Sequence, residues 1–487
     1  MSRVRLLRAA ALAFALLHSA VRAGAQPAQP ELPDFGAVPI ELPELPALGD
    51  GSETAAPDYH FVDEAALPFA PLEGLETTRS WGTLQGAGYR IEVPAQWNGA
   101  LVIWAWGFTG FCLAQDDPAC RLTAREPWIR RELLERGFAW ANSSLTTSGW
   151  AVSQGVLDNL VLQTEFTRLV APPERVYMIG LSMGGKIAAI ANERGFGYAG
   201  TLALCGELGA DELGGYWVDW NLLAATLAHE EARIDVPPSA DYLEAVVPDV
   251  RASLGRPFPS ALSEAGLQLR AATARVSGGE RPRYDSAFAL ADVPLFGSPE
   301  TMFSLFGGSG DFAILLHGDA SGQVPPWPLD GNEGVVYQLD ADPALSAEEV
   351  DLNARVPRIA ARATSDGWTF PAAEGRPTLP LLALHGLGDL LVPFSLPQRY
   401  AERAAANGAA DRLVTRATRG VTHCNFTRYE IMRSFDDLVA WVETGTRPAG
   451  DDFLDAAAVA AADFGCAWSG EAEGVPRAED IGICTAE

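Results

Sequence analysis

The sequence lacks the two features that would direct a protein to a membrane or to a nucleic acid. No segment of its 487 residues approaches the roughly 20 uninterrupted apolar residues that a membrane-spanning helix needs. Lysine and arginine number 35 against 63 aspartates and glutamates, which gives a formal net charge of −28. Because a nucleic-acid-binding surface needs a basic face, this balance argues against one. We therefore expect no stable membrane span and no nucleic-acid partner.

The N-terminus has the composition of an export signal. Three arginines precede a short apolar stretch at residues 9–20, and Ala-Gly-Ala at residues 23–25 offers a cleavage site. We predict a signal peptide at residues 1–25 and a secreted or periplasmic mature protein, with a cytosolic N-terminal helix as the alternative. Residues 26–58 are rich in proline and lack apolar periodicity, which predicts an extended linker.

One pentapeptide, Gly-Leu-Ser-Met-Gly at residues 180–184, decides how the rest of the chain is interpreted. It follows a β-branched and aromatic run at 176–179 and precedes a small-residue run at 185–191 that predicts a helix. A serine at the apex of such a strand–turn–helix unit is a nucleophile elbow, whose glycines avoid collisions in the sharp turn. The motif alone is weak evidence in a glycine-rich chain. A nucleophile elbow is supported only if an acid and a histidine follow the serine in the right order.

An aspartate and a histidine follow the serine. The apolar run 381–384 is typical of a buried strand, and the chain then reaches Asp389. A second strand predicted at 412–417 leads to His423. Catalytic groups of open parallel sheets collect past the C-terminal ends of the strands, where all three residues fall. The order Ser182, Asp389, His423 is the order found in α/β-hydrolases.

Histidine is scarce, with six in the chain, and this narrows the choice of base. Only His385 and His423 lie in the part of the chain that holds the acid strand. His385 ends that strand, a position that supports the acid loop. We expect His423 to be the general base and Asp389 the acid that orients it. Asp211 and Asp219 are the other candidates for the acid.

With these motifs the chain resembles the α/β-hydrolase superfamily over residues 75–450. It looks most like secreted bacterial serine esterases with an S-M-G-G elbow, an H-G-x-x-D acid strand and an H-C-x-F-T histidine loop. The resemblance implies cleavage of a small-molecule or polymeric carboxylic ester through an acyl-enzyme, with no metal or organic cofactor. The His-Cys pair is also similar to that of tannases and feruloyl esterases, although Leu181 stands where their cysteine precedes the serine.

The alternation of apolar runs with helical segments predicts an α/β fold with a doubly wound, mostly parallel sheet. Helices are predicted at 125–136 and 153–170. The hydrolase core would comprise residues 59–205 and 380–450. Residues 206–379 between them are too long for a crossover loop, so they predict an inserted subdomain, and the resemblance implies a cap over the serine. Aromatic segments of this insertion either line a substrate pocket or form the cap's own core: 217–222, 294–296 and 302–306.

The loop after the apolar run 100–106 is expected to supply half of an oxyanion hole. Such a loop contributes a backbone N–H rather than a side chain, so its exact residue types matter little. Phe108 is the first candidate donor and Thr109 the second. The N–H of Met183, directly after the serine, is expected to be the other half.

Cysteine is scarce but even in number. Six cysteines in an exported chain suggest three disulfides, although spacing alone does not determine their connectivity. Proximity along the chain favours two bonds and leaves a third pair: Cys112–Cys120, Cys466–Cys484 and Cys205–Cys424. The second bond would staple a C-terminal tail, residues 451–487. A pairing of Cys424 with Cys466 or Cys484 is the alternative. The absence of a Cys-x-x-Cys motif argues against a metal site.

Two further functions stay open at this point. An amidase or peptidase can use the same fold and the same three residues, because neither chooses the leaving group. A catalytically silent hydrolase fold can serve as a binding protein, but the intact set of Ser182, Asp389 and His423 argues against this alternative.

Overall fold

The computed structural model describes residues 59–110, 112, 118–209, 212–233, 245–255, 261–290, 331–360 and 372–485. The predicted signal peptide (1–25) and linker (26–58) lie outside the described residues. So do Asp211 and the aromatic segments 294–296 and 302–306 of the insertion. Within the described part, no helix is both long and apolar enough to cross a membrane.

A sheet of eight strands carries the fold. Across the sheet the order is β10-β9-β8-β7-β4-β6-β3-β2, and a separate parallel pair joins β1 to β5. The strands are β1 (Phe61–Val62), β2 (Thr77–Leu84), β3 (Ala87–Pro94), β4 (Ala100–Ala105), β5 (Arg121–Leu122), β6 (Ala139–Ser143), β7 (Arg175–Leu181), β8 (Gly200–Leu204), β9 (Leu381–Gly386) and β10 (Leu413–Thr418). Only the β2–β3 and β3–β6 pairs of the large sheet are antiparallel. The predicted mostly parallel sheet is confirmed.

Helices cover both faces of this sheet. They are α1 (Arg130–Glu135), α2 (Val152–Leu169), α3 (Met183–Arg194), α4 (Glu212–Leu227), α5 (Val247–Ser253), α6 (Glu264–Val276), α7 (Tyr284–Leu290), α8 (Ala347–Arg355), α9 (Ser395–Ala406), α10 (Arg428–Thr444) and α11 (Ala456–Val459). Strand β4 shows the arrangement, since its side chains alternate between two hydrophobic clusters. Leu101 and Ile103 belong to the cluster with α2 and α3, whereas Val102 and Trp104 belong to the cluster with α1 and α10. The sheet is therefore doubly wound, as expected.

One predicted helix is wrong in extent. The helix expected at 125–136 is only Arg130–Glu135 in the structure. Pro127 explains the difference, because proline has no N–H to donate and disfavours helical backbone at the residue before it. The segment before α1 is therefore irregular, and Trp128 is exposed there.

The described part of the insertion packs directly onto the acid strand's loop. Helix α4 is buried along nearly its whole length. The Tyr216 hydroxyl donates to the carbonyl of Leu390 at 3.0 Å, and Trp217 Nε1 donates to that of Leu391 at 2.9 Å. Trp220 has no exposed surface. The segment 217–222 is thus buried against the loop that carries Asp389, and a role in lining a substrate pocket stays a prediction.

Candidate active site

Ser182 lies in the sharp turn between β7 and α3. Its φ of 58° and ψ of −121° are a backbone conformation that a residue with a side chain rarely adopts. The flanking glycines make the turn feasible. A Cβ on Gly180 would collide with the carbonyl oxygen of Gly184, and a Cβ on Gly184 would collide with that of Ala105. The sequence folds locally into an elbow because only glycine fits at these two positions.

The structure brings the three predicted residues into one chain of hydrogen bonds. His423 Nε2 lies 2.8 Å from Ser182 Oγ, and His423 Nδ1 lies 2.7 Å from Asp389 Oδ2. The other carboxylate oxygen, Asp389 Oδ1, accepts from the backbone N–H groups of Leu391 and Val392 at 3.1 and 2.9 Å. Both oxygens of the carboxylate are thereby used, and the imidazole is held in one orientation.

Asp389 is fully buried but is stabilised in its charged form. Burial by itself would raise its pKa. The charge and hydrogen bond of His423, together with the backbone N–H of Val392, outweigh burial and hold the pKa of Asp389 below its usual value. A carboxylate that stays ionised can orient an imidazole and stabilise its protonated form.

Two of the other candidates for acid and base lie within the described residues, and neither contacts Ser182 by a hydrogen bond there. His385 is buried, and burial lowers its pKa. Its Nε2 lies 2.9 Å from the carbonyl oxygen of Val392, so it braces the loop that carries Asp389. Asp219 accepts a hydrogen bond from the Tyr337 hydroxyl at 2.6 Å, inside the insertion.

The loop after β4 lies directly against the serine. A Cβ on Gly107 would lie 2.9 Å from Ser182 Cβ. Phe108 and Thr109 follow in that loop, and the Phe108 ring contacts Trp150 with 6.3 Å between centroids. Met183 is the first residue of α3, where a backbone N–H has no partner within the helix. The expected oxyanion donors therefore stand on both sides of Ser182, and their role stays a prediction.

The six cysteines form three disulfides: Cys112–Cys120, Cys205–Cys424 and Cys466–Cys484. The second bond spans 219 residues and ties the end of β8 to the residue after His423. Cys205 and Cys424 both have positive φ, 44° and 55°, as Ser182 does. Non-glycine residues in this region persist only where their surroundings hold them, and here a covalent bond joins two of the three.

One group of possible metal ligands lies in the described residues at this place. The ligand atoms of Cys205, His423 and Cys424 are all within 4.8 Å of one another. A cysteine binds a metal as a thiolate, and both sulfurs are bonded to each other here. With the disulfide intact, the group therefore offers only the imidazole.

A buried ion pair beneath the elbow escaped the sequence analysis. Lys186 Nζ lies 2.5 Å from Glu207 Oε2, and the two residues are 1% and 0% exposed. Burial raises the pKa of Glu207 to about 7, although the ammonium group of Lys186 opposes this. The carbonyl oxygen of Ser182 accepts from the N–H groups of both residues, at 3.3 and 3.4 Å. The sequence does single out one member of the pair, because Lys186 is the chain's only lysine.

We predict that Lys186→Met alone lowers the free energy of unfolding by about 3–5 kcal/mol, because it leaves Glu207 buried without its partner. The double variant Lys186→Met/Glu207→Gln should recover at least half of that loss. Because Lys186 lowers the pKa of Glu207, its removal raises that pKa above about 7, so the single variant's defect should shrink as the pH falls from about 9 to about 7 and change little below that. Urea denaturation at both pH values measures this. A double variant no more stable than the single one would contradict the prediction.

No protein-family model matches the chain. The curated o-phthalyl amidase of Xanthobacter agilis is 25% identical over 428 residues, which are 77% of this chain and 89% of that protein. Among solved structures, feruloyl esterase B from Aspergillus oryzae has 14% identity and a TM-score of 0.40, and covers 81% of this chain and 86% of that one. An esterase from Aspergillus oryzae has 13% identity and a TM-score of 0.43, with 76% and 81% covered.

TM-scores of 0.40 and 0.43 are too low to support a conclusion about the fold. The fold is therefore assigned from the sheet, the elbow and the order of the three site residues in this chain. The mostly parallel sheet is covered by helices on both faces, and an elbow joins β7 to α3. An aspartate and a histidine follow β9 and β10 in the order expected of that fold. The amidase of Xanthobacter agilis matches along most of its length. The described residues therefore have the α/β-hydrolase fold.

Proposed function

We propose that this protein is a serine hydrolase that cleaves carboxylic esters through an acyl-enzyme. The observation that carries the proposal is the unbroken chain of contacts from Ser182 Oγ through His423 to Asp389, at 2.8 and 2.7 Å. A serine hydroxyl is a poor nucleophile until an adjacent base takes its proton. This arrangement supplies the base and the group that orients it.

In the proposed reaction His423 Nε2 takes the Ser182 proton while Oγ attacks the ester carbonyl. The negative charge that develops on the carbonyl oxygen is stabilised by the backbone N–H groups of Met183 and of Phe108 or Thr109. His423 then donates the proton to the leaving alcohol, and the C–O bond breaks. Water, deprotonated by His423, attacks the acyl-enzyme and releases the acid and Ser182. Each step uses protein groups and water only.

Amide hydrolysis is the second candidate. The relative matched along 89% of its length is called an o-phthalyl amidase, and the same residues can expel an amine if His423 protonates it.

The three disulfides and the predicted signal peptide support a secreted or periplasmic protein.

The proposal is tested with matched substrates that share one acyl group. The purified mature protein is assayed on p-nitrophenyl esters of increasing acyl length, phenolic esters, polyesters and the corresponding aryl amides. We expect kcat/KM on the ester to exceed that on the amide with the same acyl group. A faster amide would favour the second candidate, and no turnover of either class would contradict both.

A prediction on the Cys205–Cys424 bond follows from its position beside His423. Its removal should lower kcat by roughly 10- to 100-fold while the fold persists, because small misplacements of reacting groups are costly. Cys205→Ala and Cys424→Ala should show the same loss, and the double variant no further loss. Activity and circular dichroism are measured on each. Peptide mass mapping that finds Cys424 as a free thiol would contradict the prediction.

A further inference from the structure

The segment that carries His423 is a tight turn between β10 and α10. We call residues 419–427 the histidine loop. Within it Asn425 donates its N–H to the Thr422 carbonyl at 3.2 Å, and Phe426 donates to the Cys424 carbonyl at 2.8 Å. The positive φ of Cys424 makes this turn unfavourable unless other groups hold it. The disulfide to Cys205 holds one point, and the rest of the loop needs other supports.

One support comes from the described part of the C-terminal tail, residues 451–485. Arg477 Nη1 donates to Asn425 Oδ1 at 2.5 Å, and its Nη2 donates to the Asn425 carbonyl at 2.8 Å. The same Nη2 donates to Glu430 Oε2 at 2.7 Å. Glu430 caps α10, since its carboxylate accepts from the N–H of Thr427. Arg477 is 6% exposed, so its guanidinium joins the loop to the cap of α10 away from water.

The tail also contacts the start of the histidine loop. The N–H of Arg419 donates to Ser469 Oγ at 2.7 Å, and Arg419 Nε donates to Asp480 Oδ1 at the same distance. Asp480 accepts as well from Arg283, which belongs to the insertion. The bond between Cys466 and Cys484 encloses the tail residues 477 and 480 that make these contacts. Both ends of the loop are thus held by a disulfide-closed segment that is distant in sequence.

We propose that the C-terminal tail is a positioning element for His423, acting mainly through Arg477 on Asn425 and Glu430. This inference rests on the proposed function, because it concerns the geometry of the proposed base. His423 has to stay within hydrogen-bonding distance of both Ser182 and Asp389. A loop that drifts by about 1 Å can lower the rate by up to about 100-fold. Substrate affinity need not change, since Arg477 acts on the base rather than on the acyl or alcohol group.

The test compares two arginines that both anchor the tail. Arg433 donates to the Ala467 carbonyl at 2.6 Å and stacks on Trp468. Arg433 itself lies in α10, after the histidine loop, so it joins the tail to the helix rather than to the loop. Kinetics on a p-nitrophenyl ester and thermal unfolding are measured for the full mature chain carrying Arg477→Ala, Arg477→Lys or Arg433→Ala. We expect Arg477→Ala to lower kcat roughly 10- to 100-fold, with KM within about twofold. Arg477→Lys should recover part of this, and Arg433→Ala should leave kcat within about twofold.

A second variant covers the case in which Arg477→Ala does not fold. Asn425 is exposed, and Asn425→Ala removes one acceptor of Arg477 while leaving the Glu430 pair. It should lower kcat more than Arg433→Ala does, at unchanged KM. Equal kcat values in the Arg477, Asn425 and Arg433 variants would overturn the inference while the proposed function stands. A wild-type protein without Ser182-dependent ester hydrolysis would overturn the proposed function, and the inference with it.

Discussion

Replacing Ser182 by alanine should lower kcat/KM for an ester by about 10⁶-fold, the loss seen when the nucleophile of a serine hydrolase is removed. The elbow carries no second hydroxyl at its apex, and His423 Nε2 points to Ser182 Oγ at 2.8 Å. The variant loses the only atom that this geometry offers for the acyl bond. A residual rate above that of water is expected, because the backbone donors and the binding surface remain.

The measurement is steady-state kinetics on the ester with the fastest wild-type turnover. Ser182→Ala should fold normally, since alanine differs from serine by one oxygen and keeps the backbone of the turn. Ser395, which is buried at the start of α9, offers a matched serine outside the hydrogen bonds that join Ser182, His423 and Asp389. Ser395→Ala should keep the wild-type kcat. A Ser182→Ala variant with more than about one hundredth of wild-type activity would contradict the assignment.

The second large effect is expected for Asp389→Asn, which should lower kcat by about 10⁴-fold with little change in geometry. An asparagine amide can present an N–H to His423 Nδ1, which favours the tautomer that cannot take the serine proton. The pKa of Asp389 is depressed in the folded protein. Its contribution to stability is therefore present above its ordinary pKa and lost as the pH falls through the folded value. The asparagine variant should lack this acid-side dependence.

Asp219→Asn is the matched control for this prediction. Asp219 is also a buried aspartate, and it was a candidate acid on sequence grounds, but its carboxylate bonds to Tyr337. The variant should retain kcat within a few-fold, although its stability can fall. If Asp219→Asn lost activity and Asp389→Asn did not, the acid would have to be reassigned.

Local sequence was enough to predict the elbow and the positions of the acid and the histidine. Gly180 and Gly184 signal the turn because no other residue fits there, and Asp389 and His423 each follow an apolar strand. These are signals within a few residues of the side chain concerned. The structure places the three side chains in contact, whereas their catalytic roles stay predictions.

Contacts between distant segments could not be predicted in the same way. Arg477 lies 52 residues from Asn425, and no local pattern marks an arginine that will donate to a backbone carbonyl in another loop. The helix before β6 was predicted too long because Pro127 lies inside the predicted range, and proline interrupts a helix there. Lys186 differs from Arg477 in this respect, because it is the only lysine in the sequence and can be singled out without a structure.

The central claim is that Ser182 is the nucleophile that forms the acyl-enzyme. It is tested most directly by reacting the mature protein with a fluorophosphonate and mapping the adduct by peptide mass spectrometry. The account predicts one adduct, on the peptide that contains Ser182, and none in the Ser182→Ala variant. An adduct on another residue, or labelling that survives in the alanine variant, would contradict it.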